Sequence, residues 1–414
     1  RERGLYIKNY KKLSGLKKWY ISKPDNLAMA EKFKKYTQIE HILARPGMYL
    51  GDIKCVNSEM WKIEEGKLNY SLCNFNPGIY KLFDEIIANA SDEVQRNEEV
   101  KCINVEISQE TISVYNDSGI PIEIHPEYNI YIPELIFGNL LTSTNFDDSQ
   151  KRTTGGLNGL GAKLVNVFST EFIIETSHSG KKYIQKFECN MSKKSKPVIT
   201  NTKKGNYTKI SFKPDYARFG ISEMSHDTLC ILTKRVYDIC AITPKHVSVQ
   251  LNGKKLNIKD FSDYISMYIG DKKTVPRTIS EQNRWQVAFS PSDEFKCISF
   301  VNGISTTDGG THVEHVMIPL IKKLTEIIQE KHKSITIKPN YIRENLFVFI
   351  NCKIENPAFS SQTKEKNITK ASDFGSKFNL TDDIVKSVLK LGIIDNILAL
   401  AEAKEKKNIS KTDG

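Results

Sequence analysis

The sequence lacks the patterns that mark several large classes of protein. Its eight cysteines include no Cys-x-x-Cys pair and its eight histidines form no cluster, which argues against metal sites and against a disulfide framework. No apolar run approaches the ~18 residues that a membrane-spanning helix needs, and no signal peptide is visible. We therefore expect a soluble intracellular protein, nuclear or cytosolic, with reduced thiols.

Two common phosphate-binding signatures are also missing, yet a glycine-rich segment is present. The chain has no Gly-x-x-x-x-Gly-Lys-Ser/Thr motif and no complete Gly-x-Gly-x-x-Gly motif. The segment Thr154–Lys163 (TGGLNGLGAK) nevertheless holds four glycines and one lysine, and a helical apolar pattern follows it. Because the free N–H groups at a helix start bind phosphate, this segment is predicted to cover a polyphosphate. An ordinary glycine-rich turn before a helix is the alternative.

A second pattern lies upstream, in the helical stretch Phe83–Glu93. Glu85 and Asn89 are four residues apart and share one face of that helix. A carboxylate beside a phosphate can take a proton from water, and an amide oxygen suits a magnesium ion that keeps several waters. An amphipathic surface helix is the competing interpretation.

A third pattern is a pair of predicted strands followed by a turn. Cys102–Ile107 and Thr111–Tyr115 alternate apolar and polar residues and lead into Asn116–Pro121. Asn116 or Asp117 is placed to hydrogen-bond the edge of an adenine. An ordinary type I turn explains the same residues.

These three elements, in this order, resemble the nucleotide-binding motifs of the GHKL ATPase superfamily. A finer similarity, to eukaryotic-type DNA topoisomerase II, is carried by Tyr36–Gly51, Tyr131–Asn145, Ser299–Ile304 and Ile354–Glu365. The implied fold class is α+β or α/β. The implied domains are a basic arm (1–35), a GHKL or Bergerat α/β sandwich (36–254), a transducer domain with a right-handed β-α-β crossover (255–400), and the start of a linker (401–414).

The resemblance implies magnesium-dependent ATP hydrolysis, with Glu85 polarising the attacking water and Asn89 giving an oxygen to Mg²⁺. Lys364 and Gln362 would reach the terminal phosphate from the transducer, and Lys81 would orient Glu85. The other residues assigned to the ATP pocket are Asp92, Asn116, Ile120 and Thr208 around the base and ribose, Ser143, Thr144 and Asn145 at the ribose and α-phosphate, and Asn158, Gly159, Leu160, Gly161, Ala162 and Lys163 at the β- and γ-phosphates.

The expected partners are double-stranded DNA and a second copy of the chain. A net charge of +11 favours an anionic partner. By resemblance, Lys331, Lys333 and Lys338 belong to a loop that touches DNA, ATP binding dimerises the chain into a DNA-trapping gate, and the protein is nuclear. The chain has no Glu-Gly-Asp-Ser motif of the family's cleavage domain, so we expect an N-terminal fragment that does not cleave DNA alone.

Two departures from the family pattern keep other functions open. The turn Asn116–Gly119 is one residue shorter than the family's Asn-x-Gly-x-Gly, and Leu157 replaces an arginine in the glycine-rich segment. Loss of that cation would weaken phosphate binding, since a charge-assisted hydrogen bond contributes about 1.5–3 kcal/mol. The alternatives are another GHKL clamp, of the mismatch-repair or chaperone type, and a basic DNA-binding module with a decayed nucleotide site.

Overall fold

The computed structural model describes residues 33–142, 151–156 and 159–412, with side chains as far as residue 405. Its helices are α1 (Gln38–Ala44), α2 (Gly47–Leu50), α3 (Pro77–Arg96), α4 (Ile132–Gly138), α5 (Gly161–Val167), α6 (His226–Ile242), α7 (Phe261–Ile269), α8 (Thr311–Lys331), α9 (Pro339–Glu344), α10 (Asp382–Leu389) and α11 (Ile393–Thr412). Short 3₁₀ turns occupy Tyr216–Phe219 and Ala371–Asp373. None of the helices in these residues is long and apolar enough to cross a bilayer.

The strands form a hairpin and two larger sheets. They are β1 (Val56–Glu64), β2 (Lys67–Phe75), β3 (Cys102–Ile107), β4 (Ile112–Asn116), β5 (Ser169–His178), β6 (Lys181–Glu188), β7 (Lys193–Lys194), β8 (Val198–Asn201), β9 (Tyr207–Pro214), β10 (Ser248–Leu251), β11 (Lys254–Lys255), β12 (Thr278–Gln282), β13 (Trp285–Pro291), β14 (Lys296–Val301), β15 (Ile304–Ser305) and β16 (Leu346–Cys352).

Contacts group residues 42–414 into one compact unit. The preceding described residues, 33–41, contain the start of α1, where Thr37 and Glu40 form a reciprocal capping box. The basic arm predicted at residues 1–35 falls almost entirely outside the described residues.

The first large sheet is mixed and has helices on one face. Its order is β11-β10-β3-β4-β9-β5-β6-β7, with β8 also paired to β6, and only the β10–β3 pair is parallel. Buried and exposed residues alternate along β5, so Phe172 and Ile174 lie in the core while Glu171 and Glu175 pair with lysines on the other face. Phe137 of α4 meets Phe172 at a ring separation of 6.1 Å. This confirms the predicted layer of helices over one face of a mixed sheet.

The second sheet, β12-β13-β16-β14-β15, is buried on both faces. Strands β14 and β16 are parallel neighbours, and the chain between them passes through α8 and α9, which makes the predicted β-α-β crossover. On one face Val287 and Val348 pack with Leu320 of α8. On the other, Phe347 and Phe349 pack with α7. A sheet with two covered faces reads as continuous apolar strands, as β16 does.

Several elements differ from the sequence predictions. Helix α3 starts at Pro77, ahead of the helical stretch Phe83–Glu93 that the sequence indicated, because Asn76 caps it, with Oδ1 accepting from Ile79 N at 3.1 Å, and Pro77 fits its first turn. Helix α11 continues to Thr412, through most of the segment predicted as a linker. The hairpin β1–β2 and helices α7 and α9 had no counterpart in the sequence prediction.

Candidate active site

Helix α3 carries the carboxylate and the amide that the sequence singled out. Its cap, Asn76, is fully buried and also donates Nδ2 to the carbonyl of Ile53 at 2.8 Å, which fixes the helix start. From that start, Glu85 lies in the protein interior, and Asn89, one turn later, is exposed. The two residues therefore line one side of the helix, where it passes from buried to open.

The Glu85 carboxylate lies between two ammonium groups from distant parts of the chain. Lys81 Nζ is 2.8 Å from Oε1, and Lys364 Nζ is 3.9 Å from Oε2. Burial alone would raise the pKa of Glu85, but the charges of Lys364 and Lys81 outweigh it and lower that pKa. Glu85 is therefore ionised at neutral pH, as a group that accepts a proton must be.

A buried ion pair between Asp84 and Arg235 lies next to Glu85. Arg235 of α6 is completely buried and donates Nε to Asp84 Oδ1 at 2.7 Å and Nη2 to the carbonyl of Gly303 at 2.8 Å. Burial opposes ionisation of Asp84, yet Arg235 and Lys81 lower the pKa of Asp84 to about 2. Asp84 also forms an ion pair with Lys81, whose Nζ lies 3.4 Å from Oδ2. Through Arg235 and the carbonyl of Gly303, Asp84 links α3 to the second sheet.

Lys364 reaches Glu85 from a tight loop of the second half of the chain. Its φ is +65°, a conformation that non-glycine residues seldom adopt, and its N–H donates to the carbonyl of Ser361 at 3.2 Å. Thr363 holds the loop against α3 through its carbonyl, which accepts from Lys81 Nζ at 3.3 Å. Gln362 is half-buried in the same loop. Sequence reasoning named Gln362 and Lys364, and the structure brings Lys364 to Glu85.

The glycine-rich segment meets α3 at two points. The two oxygens of Asp92 accept from the N–H groups of Gly155 and Gly156, both at 2.9 Å, so Asp92 holds the first half of the segment. At the second half, a Cβ added to Gly161 would lie 1.9 Å from Glu85 Oε2. Gly159 has a φ of +61°. The first residue of α5 therefore has to be glycine for the helix start to approach the carboxylate.

Lys163 and the remaining residues of this segment take different positions. Lys163 is buried in α5, and its Nζ donates to the carbonyl of Thr142 at 2.5 Å. Burial lowers the pKa of Lys163 to about 8. Leu160 caps α5 and Ala162 is buried within it. Four predicted residues lie outside the described residues: Ser143, Thr144, Asn145 and Asn158.

Hydrogen bonds also connect residues 152–154, where the glycine-rich segment begins, to the second sheet. Asn302, which has a φ of +50°, exchanges bonds with the backbone of Ile354 at 2.9 and 2.8 Å and donates to the carbonyl of Thr154 at 3.4 Å. Asn356 N donates to the carbonyl of Arg152 at 2.9 Å. Residues 152–155 are thus attached both to Asp92 of α3 and to the second sheet. Asn302 lies in the stretch Ser299–Ile304 that carries the family resemblance, but the sequence analysis gave it no role at the site.

The predicted adenine-binding residues gather where β4 ends. Asn116 Oδ1 accepts from Ser118 N at 3.0 Å, and Thr208 Oγ1 donates to the carbonyl of Ser118 at 2.7 Å. Thr176, which the sequence analysis missed, lies 3.0 Å from Thr208 Oγ1 and accepts from the N–H of Ile120 at 3.0 Å. The three predicted residues are therefore close together, in a single hydrogen-bond network.

Asp117 has a different task from its neighbour Asn116. Its carboxylate accepts from the N–H groups of Lys101 and Cys102 at 3.0 Å, at the start of β3. Ser118, in the shortened turn, donates Oγ to Glu93 of α3 at 2.7 Å. Both candidates for an adenine contact therefore accept from backbone N–H groups, Asp117 from the start of β3 and Asn116 from its own turn, and the adenine contact stays a prediction.

The predicted DNA-contacting lysines surround the connection between α8 and α9. Lys331, Lys333 and Lys338 are all exposed. Gln329 orders this connection because its side chain bonds the backbone of residues 332, 335 and 337. A short helix, α9, separates this segment from strand β16.

Two features of the site fit a bound nucleotide with magnesium. Gly161, the first residue of α5, brings the helix start against the Glu85 carboxylate, and the N–H groups of a helix start are donors that bind phosphate. Asn89 offers an exposed amide oxygen one turn from a buried carboxylate, and oxygen donors are those that Mg²⁺ prefers.

Comparisons with known proteins agree with this geometry. The structure matches the ATPase region of Saccharomyces cerevisiae topoisomerase II with a TM-score of 0.85 and 44% identity, covering 90% of this chain and 100% of that one. The ATPase and transducer domains of DNA topoisomerase II from Balamuthia mandrillaris match with a TM-score of 0.86 and 38% identity, at 91% and 99% coverage.

The chain belongs to the DNA topoisomerase II family. It is 44% identical to DNA topoisomerase 2 of Arabidopsis thaliana over 93% of its length and 46% identical to that of Candida albicans over 95%. The family model described as DNA gyrase B matches residues 257–413. The chain spans 27% and 29% of those two curated relatives, in the part of a topoisomerase II that contains the ATPase region.

Proposed function

We propose that this topoisomerase II segment binds and hydrolyses ATP with Mg²⁺ and acts as the nucleotide-operated gate of a type II DNA topoisomerase. The observation that carries the proposal is the position of Glu85. It is buried, ionised, and in contact with Lys81, Lys364 and the glycine start of α5. A carboxylate with two cations beside a phosphate cradle is suited to phosphoryl transfer to water.

In the proposed reaction, Glu85 accepts a proton from water as the water oxygen bonds to the γ-phosphorus and the bond to ADP breaks. Asn89 would hold Mg²⁺, which neutralises charge on the phosphates when bound. Lys364 is only 3.9 Å from Glu85 Oε2, so it can exchange that carboxylate for a γ-phosphate oxygen. Moving its charge away from Glu85 makes the carboxylate more basic at the point where it must take a proton.

The first test is steady-state phosphate release from magnesium-ATP by the wild-type chain and Glu85→Gln. The substitution keeps the shape of the side chain beside Gly161 and removes the proton acceptor. We expect turnover to fall by 100-fold or more, about the contribution of a general base, with ATP affinity nearly unchanged. Glu98→Gln, at an exposed glutamate just beyond α3, is the matched control.

The gate is tested by molecular size and by DNA binding. The chain is expected to dimerise with a non-hydrolysable ATP analogue and to remain monomeric without nucleotide. Replacing all three of Lys331, Lys333 and Lys338 by glutamine should weaken DNA binding and reduce its dependence on salt. With fewer contacts to phosphates, DNA binding releases fewer counterions. If neither hydrolysis nor analogue-driven dimerisation occurs, the nucleotide site is a decayed one.

A further inference from the structure

Three side chains that commonly bind metals meet at the tip of the β1–β2 hairpin, away from the site of Glu85. Glu64 ends β1, next to the two-residue turn Glu65–Gly66, and His226 and Cys230 lie one turn apart at the start of α6. His226 Nε2 is 2.7 Å from Glu64 Oε1 and 3.4 Å from Cys230 Sγ, and the three ligand atoms all lie within 4.8 Å of one another.

These separations are close to those of a tetrahedral zinc site. Bond lengths of about 2.0–2.3 Å to nitrogen, oxygen and sulfur place neighbouring ligand atoms about 3.5 Å apart. The sulfur and nitrogen are already at that spacing. The Glu64 oxygen has to withdraw from His226 by less than about 1 Å, which a glutamate at a hairpin end can do by rotating its side chain, and its separation from Cys230 Sγ is at most 4.8 Å.

The surrounding charges are arranged so that one glutamate oxygen stays available. Asp227 is not a fourth ligand, because Oδ1 accepts from Lys62 Nζ at 2.8 Å and Oδ2 from the N–H of Asn74 at 2.8 Å. Lys62 is also 3.7 Å from Glu64 Oε2, the oxygen that does not face His226. A thiolate, a carboxylate and a neutral imidazole together carry the two negative charges that balance Zn²⁺.

The three ligands differ in exposure, so the site is closed by protein on the Cys230 side and open to solvent on the His226 side. Cys230 is buried under the hairpin, Glu64 is partly exposed, and the His226 side chain is 67% exposed. A metal can therefore enter from the His226 side, and the fourth position faces solvent, where a water molecule completes the tetrahedron.

We propose that Glu64, His226 and Cys230 bind one Zn²⁺, which fastens the tip of the β1–β2 hairpin to the first turns of α6. Binding replaces the thiol proton of Cys230, which passes to solvent, and replaces the hydrogen bond between Glu64 and His226 by two bonds to the metal. The local spacing of cysteines and histidines had argued against a metal site, because the third ligand is distant in the sequence.

The test is zinc binding to the whole chain, purified with a chelator and then titrated with Zn²⁺ in a calorimeter. One equivalent is expected to bind, with release of a proton that is seen by repeating the titration in buffers of different ionisation enthalpy. His226→Ala and Cys230→Ala should each weaken the affinity more than about 100-fold. Cys189→Ala, at an exposed cysteine outside the cluster, should bind as the wild type does.

Two further measurements separate a built site from casual binding. Co²⁺ in place of Zn²⁺ should give a thiolate-to-cobalt charge-transfer band that disappears in Cys230→Ala. At a zinc concentration 100 times the dissociation constant, the unfolding temperature of a chain this long should rise by about 3 °C. The same affinity in wild type and in the His226→Ala/Cys230→Ala double variant, with both proteins folded by circular dichroism, would overturn the proposal.

Discussion

Gly161→Ala gives the most direct test of the contact between the glycine-rich segment and Glu85. The added Cβ would lie 1.9 Å from Glu85 Oε2. Because ordinary contacts between carbon and oxygen begin above about 3 Å, the carboxylate has to retreat by more than about 1 Å, and a misplacement of that size costs about 100-fold in rate. Since Gly161 begins a helix, alanine also favours the helix by up to about 1 kcal/mol. The variant should therefore be folded and slow.

The assay is phosphate release at saturating magnesium-ATP, with ATP affinity measured separately by calorimetry. Gly47→Ala is the matched control, since Gly47 also begins a helix and its added Cβ meets nothing within 4 Å. Gly161→Ala and Glu85→Gln act on the same carboxylate, so the double variant should be no slower than Glu85→Gln alone. Turnover of Gly161→Ala within threefold of wild type, or losses that add in the double variant, would refute the contact.

Four other predictions concern the residues that support the site. Arg235→Met leaves the buried Asp84 carboxylate unpaired and should lower the free energy of unfolding by about 3–5 kcal/mol in urea, with partial recovery when Asp84→Asn is added. The pKa of Asp84 is about 2 in the folded protein and higher in the unfolded chain. The contribution of Asp84 to the free energy of unfolding should therefore be complete above pH 4 and lost as the pH falls towards 2. Urea unfolding of wild type and Asp84→Asn across this range measures it. Lys163 has a pKa of about 8 in the free protein and should bind phosphate best when it is charged. The affinity for ATP, measured by calorimetry, should therefore fall about tenfold between pH 7 and pH 9. In Lys163→Arg the affinity should stay constant over this range. Asn302→Gly keeps the left-handed backbone but removes three hydrogen bonds, so it should destabilise the protein by about 1–3 kcal/mol and speed amide exchange in residues 152–156.

The sequence predicted the elements that combine strong periodicity with the family motifs. Strand β3 has the predicted bounds Cys102–Ile107, and helix α3 contains the predicted helical stretch Phe83–Glu93. The hairpin β1–β2 was missed because few of its side chains are buried, so burial imposes no clear apolar alternation on it. Its one local signal is the Glu65–Gly66 turn, whose two positive φ angles suit a tight hairpin.

At the candidate site, motifs found residues that meet in the structure and missed those that hold them in place. Glu85, Lys364 and Gly161 come from separate motifs and meet in the structure. Arg235 and Thr176 belong to no motif, and only the fold brings them to Asp84 and Thr208. Long-range polar contacts of this kind carry no sequence period, so a single sequence cannot reveal them.

The double attachment of residues 152–155, to Asp92 on one side and to Asn302 and Asn356 on the other, has a thermodynamic consequence. Because one segment is hydrogen-bonded to both α3 and the second sheet, the position of either depends on the position of the other. Under the proposed function, the free energy with which nucleotide binding shifts the second sheet equals the free energy by which a shift of that sheet changes nucleotide binding. A force on α11, which packs against the second sheet, would in that case change the dissociation constant of the nucleotide.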